Sequence, residues 1–372
     1  MFNRYCQEKL EKLLATADIR IDGGRPWDIE VHKPLVFRRA ITEGNLGLGE
    51  SYMEGWWECR DLEEFFFRVL RVKADEKVVT PALIFWRLLG CISNLQSGSR
   101  AFAVGEHHYN TGNDLFEKML DTRMIYSCGY WKGAKNLDEA QENKLRLVFD
   151  KLQLKQGMHL LDIGCGWGGA AQFAAQQYGV SVTAITVSTA QAELARVRCA
   201  GLPVEVVLED YRAIKGRFDR IYSIGMFEHV GYKNYREYFS AVRRSLKPDG
   251  LTLLHTIGGN MPSTNGDPWS CKYIFPNSML PAASQITSNY EGLFTLEDWH
   301  VFGYDYTLTL REWLINFEKH WPELSEHYSD KFYRMWRYYL ASFAGSFRAR
   351  SIELWQLLLS TEGLKEGTRI PR

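Results

Sequence analysis

Net charge is what this chain most plainly lacks. Its 45 Lys and Arg balance 45 Asp and Glu across 372 residues, so no overall field draws it to nucleic acid, although a local basic patch stays open. Paired cysteines are missing too. The seven (Cys6, Cys59, Cys91, Cys128, Cys165, Cys199 and Cys271) are odd in number, scattered and without CxxC spacing, which suits reduced thiols in a reducing compartment. There is no membrane-spanning run: the longest apolar stretch, PALIFWRLLGCI from Pro81, is broken by Arg87 and falls short of the ~20 residues a span needs. Any work on lipid would therefore proceed from the membrane surface. The N-terminus, MFNRYCQEKLEKLLATADI, has no basic n-region, apolar core and small-residue cleavage site of a secretory signal. Together these absences predict a cytosolic protein. Internal repeats and low-complexity tracts are absent as well.

What is present is core-forming material, 45% hydrophobic with 14% aromatic residues, enough for two or three domains. EKLEKLLATADI, HKPLVFRRAITEG and DLEEFFFRVLRV carry apolar residues at helical spacing, predicting a mainly helical domain over 1–93. Between the second and third, GLGESYMEGWWECRD reads as punctuation rather than helix. NLQSGSRAF, polar and Gly/Ser-bearing, marks a linker at 94–106. From residue 138 helix and strand alternate. The strands HLLDI, VSVTAIT, VEVVL, RIYSIG and LTLLHT are separated by the helices GGAAQFAAQQYG, STAQAELARVRCA and NYREYFSAVRRSL, the pattern of an α/β doubly wound, mostly parallel sheet. The last hundred residues, ending in the run through IELWQLLL, read as largely helical and aromatic-rich.

The first strand runs into LDIGCGWGGA, with Gly164, Gly166 and Gly169 at the spacing of a dinucleotide fingerprint. A dinucleotide site wants an acidic residue at the end of the second strand, but VSVTAITVS ends in Thr186 and Ser188. An acid stands before the glycines instead, Asp162, so that Asp162, Gly164, Gly166 and Gly168 spell D-x-G-x-G-x-G. This resembles the first motif of S-adenosylmethionine-dependent methyltransferases. LEDYR after the third strand and LKPDG before the fifth fit the same pattern. The resemblance implies that Asp210 faces the adenine amino group and Tyr211 the adenine ring.

Further motifs extend the resemblance along nearly the whole chain: GLGESYMEGWW (47–57), HYNTGNDLF (108–116), YSCGYW (126–131), GMFEHVG (225–231), LLHTIG (253–258), WSCKYIFP (269–276), EDWHVFGYDYTLTL (297–310) and FAGSFRAR (343–350). Together they resemble the cyclopropane fatty acid synthase family of S-adenosylmethionine-dependent methyltransferases. One departure is Asn110, where the family pattern has an acid; Gly112, Asn113 and Asp114 are intact. The resemblance implies a Rossmann-like, seven-stranded catalytic domain over 107–372. It also implies methylene transfer from S-adenosylmethionine to the cis double bond of a phospholipid acyl chain, with the cationic product losing a proton to bound bicarbonate.

Carried over motif by motif, the resemblance assigns the bicarbonate site to Cys128, Glu228, His255, the backbone of Ile257, and Tyr306. It assigns the cofactor site to Tyr126, Ser127, Asp162, Gly164, Gly166, Gly168, Thr186, Gln191, Asp210 and Tyr211, with Gly129 nearby and no metal. Cys128 is expected as a buried small residue rather than a nucleophile, and Cys165 as packing. The family further implies a homodimer associated peripherally with the inner face of the membrane. Residues 1–93 would serve that association, with Trp56, Trp57 and the Phe65–Phe67 run divided between core and membrane, and PALIFWRLLG as a candidate interfacial helix. Three rivals remain open at this point: a methyltransferase that stops at a branched product or acts on another nucleophile, a nicotinamide oxidoreductase, and a non-catalytic lipid-binding protein.

Overall fold

The computed structural model describes residues 2–78, 96, 112–365 and 368–372. The apolar stretch from Pro81, Cys91, Asn110 and, apart from Gln96, the expected linker lie outside the described residues. In chain order, α1 (Phe2–Thr16) precedes a ribbon of β1 (Glu30–Val31) and β2 (Trp57–Glu58), between which come α2 (Leu35–Glu43) and α3 (Asn45–Met53); α4 (Leu62–Arg71) follows. Next come α5 (Asn113–Met119), α6 (Leu137–Lys151), β3 (His159–Ile163), α7 (Gly169–Tyr178), β4 (Ser181–Thr186), α8 (Thr189–Arg198) and β5 (Val204–Leu208). The chain continues through β6 (Phe218–Ile224), α9 (Tyr235–Ser245), β7 (Leu246–Gly259), α10 (Pro268–Tyr273) and α11 (Ala283–Tyr290). It ends with β8 (Thr295–Val301), α12 (Gly303–Leu324), α13 (Asp330–Ala349) and β9 (Ile352–Ser360).

These elements form two compact units that do not follow chain order. The first takes Met1–Ser93, Thr264–Pro276 and Tyr306–Ile352; the second takes Asn94–Ser263, Asn277–Asp305 and Glu353–Arg372. Much of the aromatic C-terminal helix pair thus belongs with the N-terminal helices, although the sequential reading assigns it to residues 107–372.

In the first unit, glycines do the opposite of what their sequence context suggests. Gly47 and Gly49 lie inside α3 instead of breaking it. A Cβ on Gly47 would meet the Arg39 carbonyl oxygen at 2.5 Å, and one on Gly49 would run into the Trp269 indole. Glycine here permits close approach at the helix-propensity cost of about 1 kcal/mol each. Gly345 of α13 does the same against Phe66 of α4, at 2.7 Å. Trp57, Phe65 and Phe66 are core residues, whereas Trp56 and Phe67 are half-buried beneath the cations of Lys33, Arg39 and Arg348.

The second unit is built on a seven-stranded sheet of order β5-β4-β3-β6-β7-β9-β8. β4 and β6 flank β3 in parallel, β5 is parallel to β4 and β7 to β6, while β8 and β9 run antiparallel. The five strands read from alternation are all in place. β8 and β9 are the departure: IELWQLLLS is a strand, buried along nearly its whole length between β7 and β8. A strand covered on both faces is apolar at every position, so it loses the period-2 signature and looks like a buried helix.

Strand order reverses between β3 and β6, because β4 and β5 extend one way and β6 the other. A doubly wound sheet opens a ligand crevice at that point, outside the carboxyl ends of the strands. The turns after β3 and β6 therefore frame the region of interest.

Candidate active site

The turn after β3 is set by glycine. Gly164, Gly166 and Gly168 have φ of +89°, +53° and +82°, a left-handed conformation that costs a side-chain-bearing residue roughly 1–2 kcal/mol. At Gly164 an added Cβ would also strike Met226 at 2.8 Å, whereas at Gly166 it would meet none of the described residues within 4 Å. Among those residues Gly166 thus presents bare backbone, and Gly168 turns the chain into α7.

Beside this turn the Asp162 and Asp210 carboxylates and the Thr186 hydroxyl are bound by neighbouring protein groups, while the Tyr211 hydroxyl is buried without a partner among the described residues. Asp162 is buried, and Tyr222, its register partner on β6, donates to its Oδ2 at 2.6 Å. Burial pushes the Asp162 carboxyl up to about 7, opposed by that hydrogen bond and by the charge of Lys144. After β4, the Thr186 hydroxyl donates to Gln191 Oε1 at 3.0 Å and accepts from Ser188 N–H at 3.2 Å, while Ser188 caps α8. After β5, Asp210 accepts from Arg212 N–H at 2.9 Å and holds its guanidinium at 3.1 Å. Arg212 in turn covers the Tyr211 ring at 4.5 Å, and Tyr238 meets that ring edge-on. The Asp210 carboxylate and the Tyr211 ring thus already have protein partners.

The turn after β6 carries Glu228 in a short 3-10 segment anchored by Phe227, whose ring stacks on Tyr235 at 4.3 Å. Gly225 N–H donates to the His255 carbonyl of β7, so the parallel β6–β7 pairing runs up to the start of the turn. Ile257 N–H donates to Glu228 Oε1 at 2.7 Å. Among the described residues Glu228 Oε2 is buried with no hydrogen-bond partner. Burial pushes this carboxyl up to about 7, partly offset by the Ile257 bond, the Glu228 backbone N–H and the nearby Thr256 hydroxyl. The backbone N–H expected to hold an anion is therefore spent on orienting the glutamate.

His255 is buried two residues earlier on β7. Gln356 of β9 donates its amide N–H to His255 Nδ1 at 3.2 Å, while Nε2 has no partner among the described residues. An amide nitrogen can only donate, so Nδ1 accepts and the proton of the neutral ring sits on Nε2. Burial holds the His255 pKa well below its ordinary value, reinforced by the charges of Lys144, Lys151 and His300.

Cys128 is fully buried with Sγ 3.0 Å from the Gly129 carbonyl oxygen, and burial raises the Cys165 thiol well above its usual range; both suit packing. Tyr126 meets Phe116 at 5.1 Å, and Phe116 meets Trp167 of the glycine turn at 4.9 Å. Tyr306 belongs to the first unit, where its ring stacks on Phe347 at 4.6 Å. Sequence reasoning missed Gln356, Tyr222, Gln141 and Lys144. The signal for the last two was the position of polar residues within the buried stripe of α6, beside Leu137, Ala140, Leu145 and Val148.

Comparison with known proteins follows the same outline. Residues 96–357 match the mycolic acid cyclopropane synthetase family. The chain is 51% identical over 362 residues to cyclopropane-fatty-acyl-phospholipid synthase of Escherichia coli K12, covering 97% of this chain and 94% of that protein. Among solved structures, the cyclopropane synthase MmaA2 from Mycobacterium tuberculosis superposes with a TM-score of 0.65 at 31% identity, covering 70% of this chain and 98% of the other. The mycolic acid cyclopropane synthase CmaA1 complexed with SAH and CTAB gives 0.65 at 32% identity with the same coverage.

Proposed function

The chain belongs to the mycolic acid cyclopropane synthetase family, and we propose that it transfers a methylene group from S-adenosylmethionine to the cis double bond of unsaturated acyl chains in phospholipids, forming a cyclopropane and S-adenosylhomocysteine. It is an S-adenosylmethionine-dependent methyltransferase with a Rossmann-like sheet. When bound, S-adenosylmethionine supplies an electrophilic methyl on a positively charged sulfur. The bare backbone at Gly166 and the left-handed glycine turn suit close approach of that molecule at the switch point.

The chemistry asks two things of the protein. The alkene π electrons take up the methyl as the carbon–sulfur bond breaks, which needs alignment; the resulting cation must then lose a proton from that methyl as the ring closes, which needs a base within hydrogen-bond reach. The observation that carries the reading is the Glu228–His255 pair: an acid and an imidazole, both buried at the carboxyl edge of the sheet, each oriented through one atom and each with the other atom unpartnered among the described residues. Protonated Glu228 presents an O–H at Oε2 and His255 an N–H at Nε2. Two buried, unpartnered donors suit a small oxyanion, and bicarbonate when bound there would supply a base. Ionised Glu228 would repel such an anion, so a carboxyl raised to about 7 by burial makes the proton on Glu228 a condition of anion binding. Cys128, in the same unit as this pair, completes the proposed set.

The proposal extends to a homodimer associated peripherally with the inner face of the membrane, with residues 1–93 serving that association. Among the described residues no helix is long and apolar enough to cross a membrane. The test is to incubate the protein with S-adenosylmethionine, bicarbonate and vesicles of a cis-monounsaturated phospholipid and to analyse the released fatty acids. A chain heavier by one CH2 with cyclopropyl proton signals supports the reading; a branched or alkene product would contradict the ring-closing step.

A further inference from the structure

Helix α6 carries two lysines whose side chains are buried, and they are treated differently. Lys151 is compensated: its ammonium meets Asp298 at 2.9 Å and His300 Nδ1 at 3.2 Å. Lys144, two turns earlier, is not. Among the described residues its ammonium has a single hydrogen bond, to Ser127 Oγ at 2.9 Å, and no carboxylate partner. The effective cost of burying an ion is several kcal/mol, so an ammonium held by one hydroxyl needs an account.

One helical turn before it, Gln141 donates to the Ser127 carbonyl at 2.7 Å and to the Ile125 carbonyl at 3.3 Å. The two side chains therefore grip the Ile125–Ser127 backbone and the Ser127 hydroxyl from one helix face, at i and i+3 spacing. The other end of this segment is tied by Asp121, which accepts from Ile125 N–H at 2.7 Å and Arg123 N–H at 3.0 Å. Tyr126, Ser127 and Cys128 are thus strung between a fixed turn and a polar clamp on α6.

We infer that Lys144, with Gln141, is a positioning residue of the cofactor site, acting through Ser127 to fix the Tyr126–Cys128 segment against bound S-adenosylmethionine. The inference rests on the proposed reading of that segment as cofactor-binding. It explains why a lysine stands where leucine would pack: a leucine would leave the Ser127 hydroxyl unpartnered and the α6 side of the segment held by Gln141 alone. The titratable groups facing the Lys144 ammonium are Asp121, Cys128, Asp162 and His255, and burial brings its pKa down to about 8. The clamp should accordingly weaken as pH rises above about 8.

The test is calorimetric titration of S-adenosylhomocysteine into wild type, Lys144→Met, Ser127→Ala and the double variant. At pH 7, Lys144→Met is expected to weaken binding by about tenfold or more, and the double variant to bind no worse than Lys144→Met, because both remove one interaction. Wild-type affinity in Lys144→Met, or losses that multiply in the double variant, would overturn the inference. Should Lys144→Met fail to fold, the wild type decides: its affinity should decline between pH 7 and 9, and Ser127→Ala should flatten that decline. A decline of the same size in Ser127→Ala would overturn the inference equally. Because the readout is cofactor affinity, failure of the cyclopropane reading shows separately, as a wild type that binds S-adenosylhomocysteine and makes no cyclopropyl chain.

Discussion

The two turns that frame the crevice differ in how their polar groups are satisfied. Beside the glycine turn, Asp162 is bound by Tyr222, Thr186 by Gln191 and Ser188, and Asp210 by Arg212. At the turn after β6 and on neighbouring β7, Glu228 and His255 each keep one buried atom without a partner among the described residues. An unsatisfied buried polar atom costs about 1–3 kcal/mol; near the second turn that cost falls on a carboxyl and an imidazole, groups that can carry a proton, and beside the first on the Tyr211 hydroxyl. The closed groups shape and stiffen a surface; the open ones are where a ligand or proton completes the structure. This contrast separates residues whose loss should unfold or loosen the protein from residues whose loss should stop the chemistry.

The largest expected effect breaks the open side. Glu228→Ala should lower cyclopropane formation by about 10²–10⁴-fold, the range for a group that manages a proton, while binding of S-adenosylhomocysteine measured by calorimetry changes little.

A second effect appears in stability against pH. Burial raises both Glu228 and Asp162 to about 7, so between the unfolded carboxyl range near 4 and pH 7 the folded state binds more protons than the unfolded one. Stability is then full at the acid end and is lost as pH rises through about 7, by roughly 3 kcal/mol for Glu228. Urea titrations across that window should show the decline, and Glu228→Gln should remove its share.

Tyr222→Phe sharpens the closed side. Asp162 loses its donor, and stability should fall by about 1–3 kcal/mol in denaturant titration, with kcat nearly unchanged. The smallest effect expected is for Gln356→Leu, which frees Nδ1 of His255. Turnover should drop by about tenfold, equivalent to about 1.4 kcal/mol, with no loss of S-adenosylhomocysteine affinity.

Much of the sheet was legible because its strands are short apolar runs separated by helices of clear 3.6 period. β9 was not, since burial on both faces erases alternation. The helical course of α3 was hidden for a different reason: Gly47 and Gly49 serve close packing against Arg39 and Trp269, and a sequence cannot distinguish a glycine that turns the chain from one that admits a neighbour. In the site, the family resemblance nominated Glu228, His255 and Ile257 together, and the hydrogen bond from Ile257 N–H to Glu228 joins two of them. Its direction of use was out of reach, because whether a backbone N–H is free or spent depends on a side chain 29 residues away in sequence. Lys144 and Gln141 left a trace as polar residues on a buried helix face, but their common target, Ser127, is a tertiary fact.

The most direct test of the distinction between closed and open groups is the bicarbonate dependence of cyclopropane formation from pH 6 to pH 8, measured on phospholipid vesicles for wild type and Glu228→Gln. If a proton on Glu228 is the condition for anion binding, activation of the wild type by bicarbonate weakens as pH rises through about 7, and Glu228→Gln, which keeps a donor at every pH, shows no such change. Bicarbonate activation that is independent of pH in the wild type, or that weakens equally in Glu228→Gln, would contradict the assignment of Glu228 as the anion's proton-bearing partner.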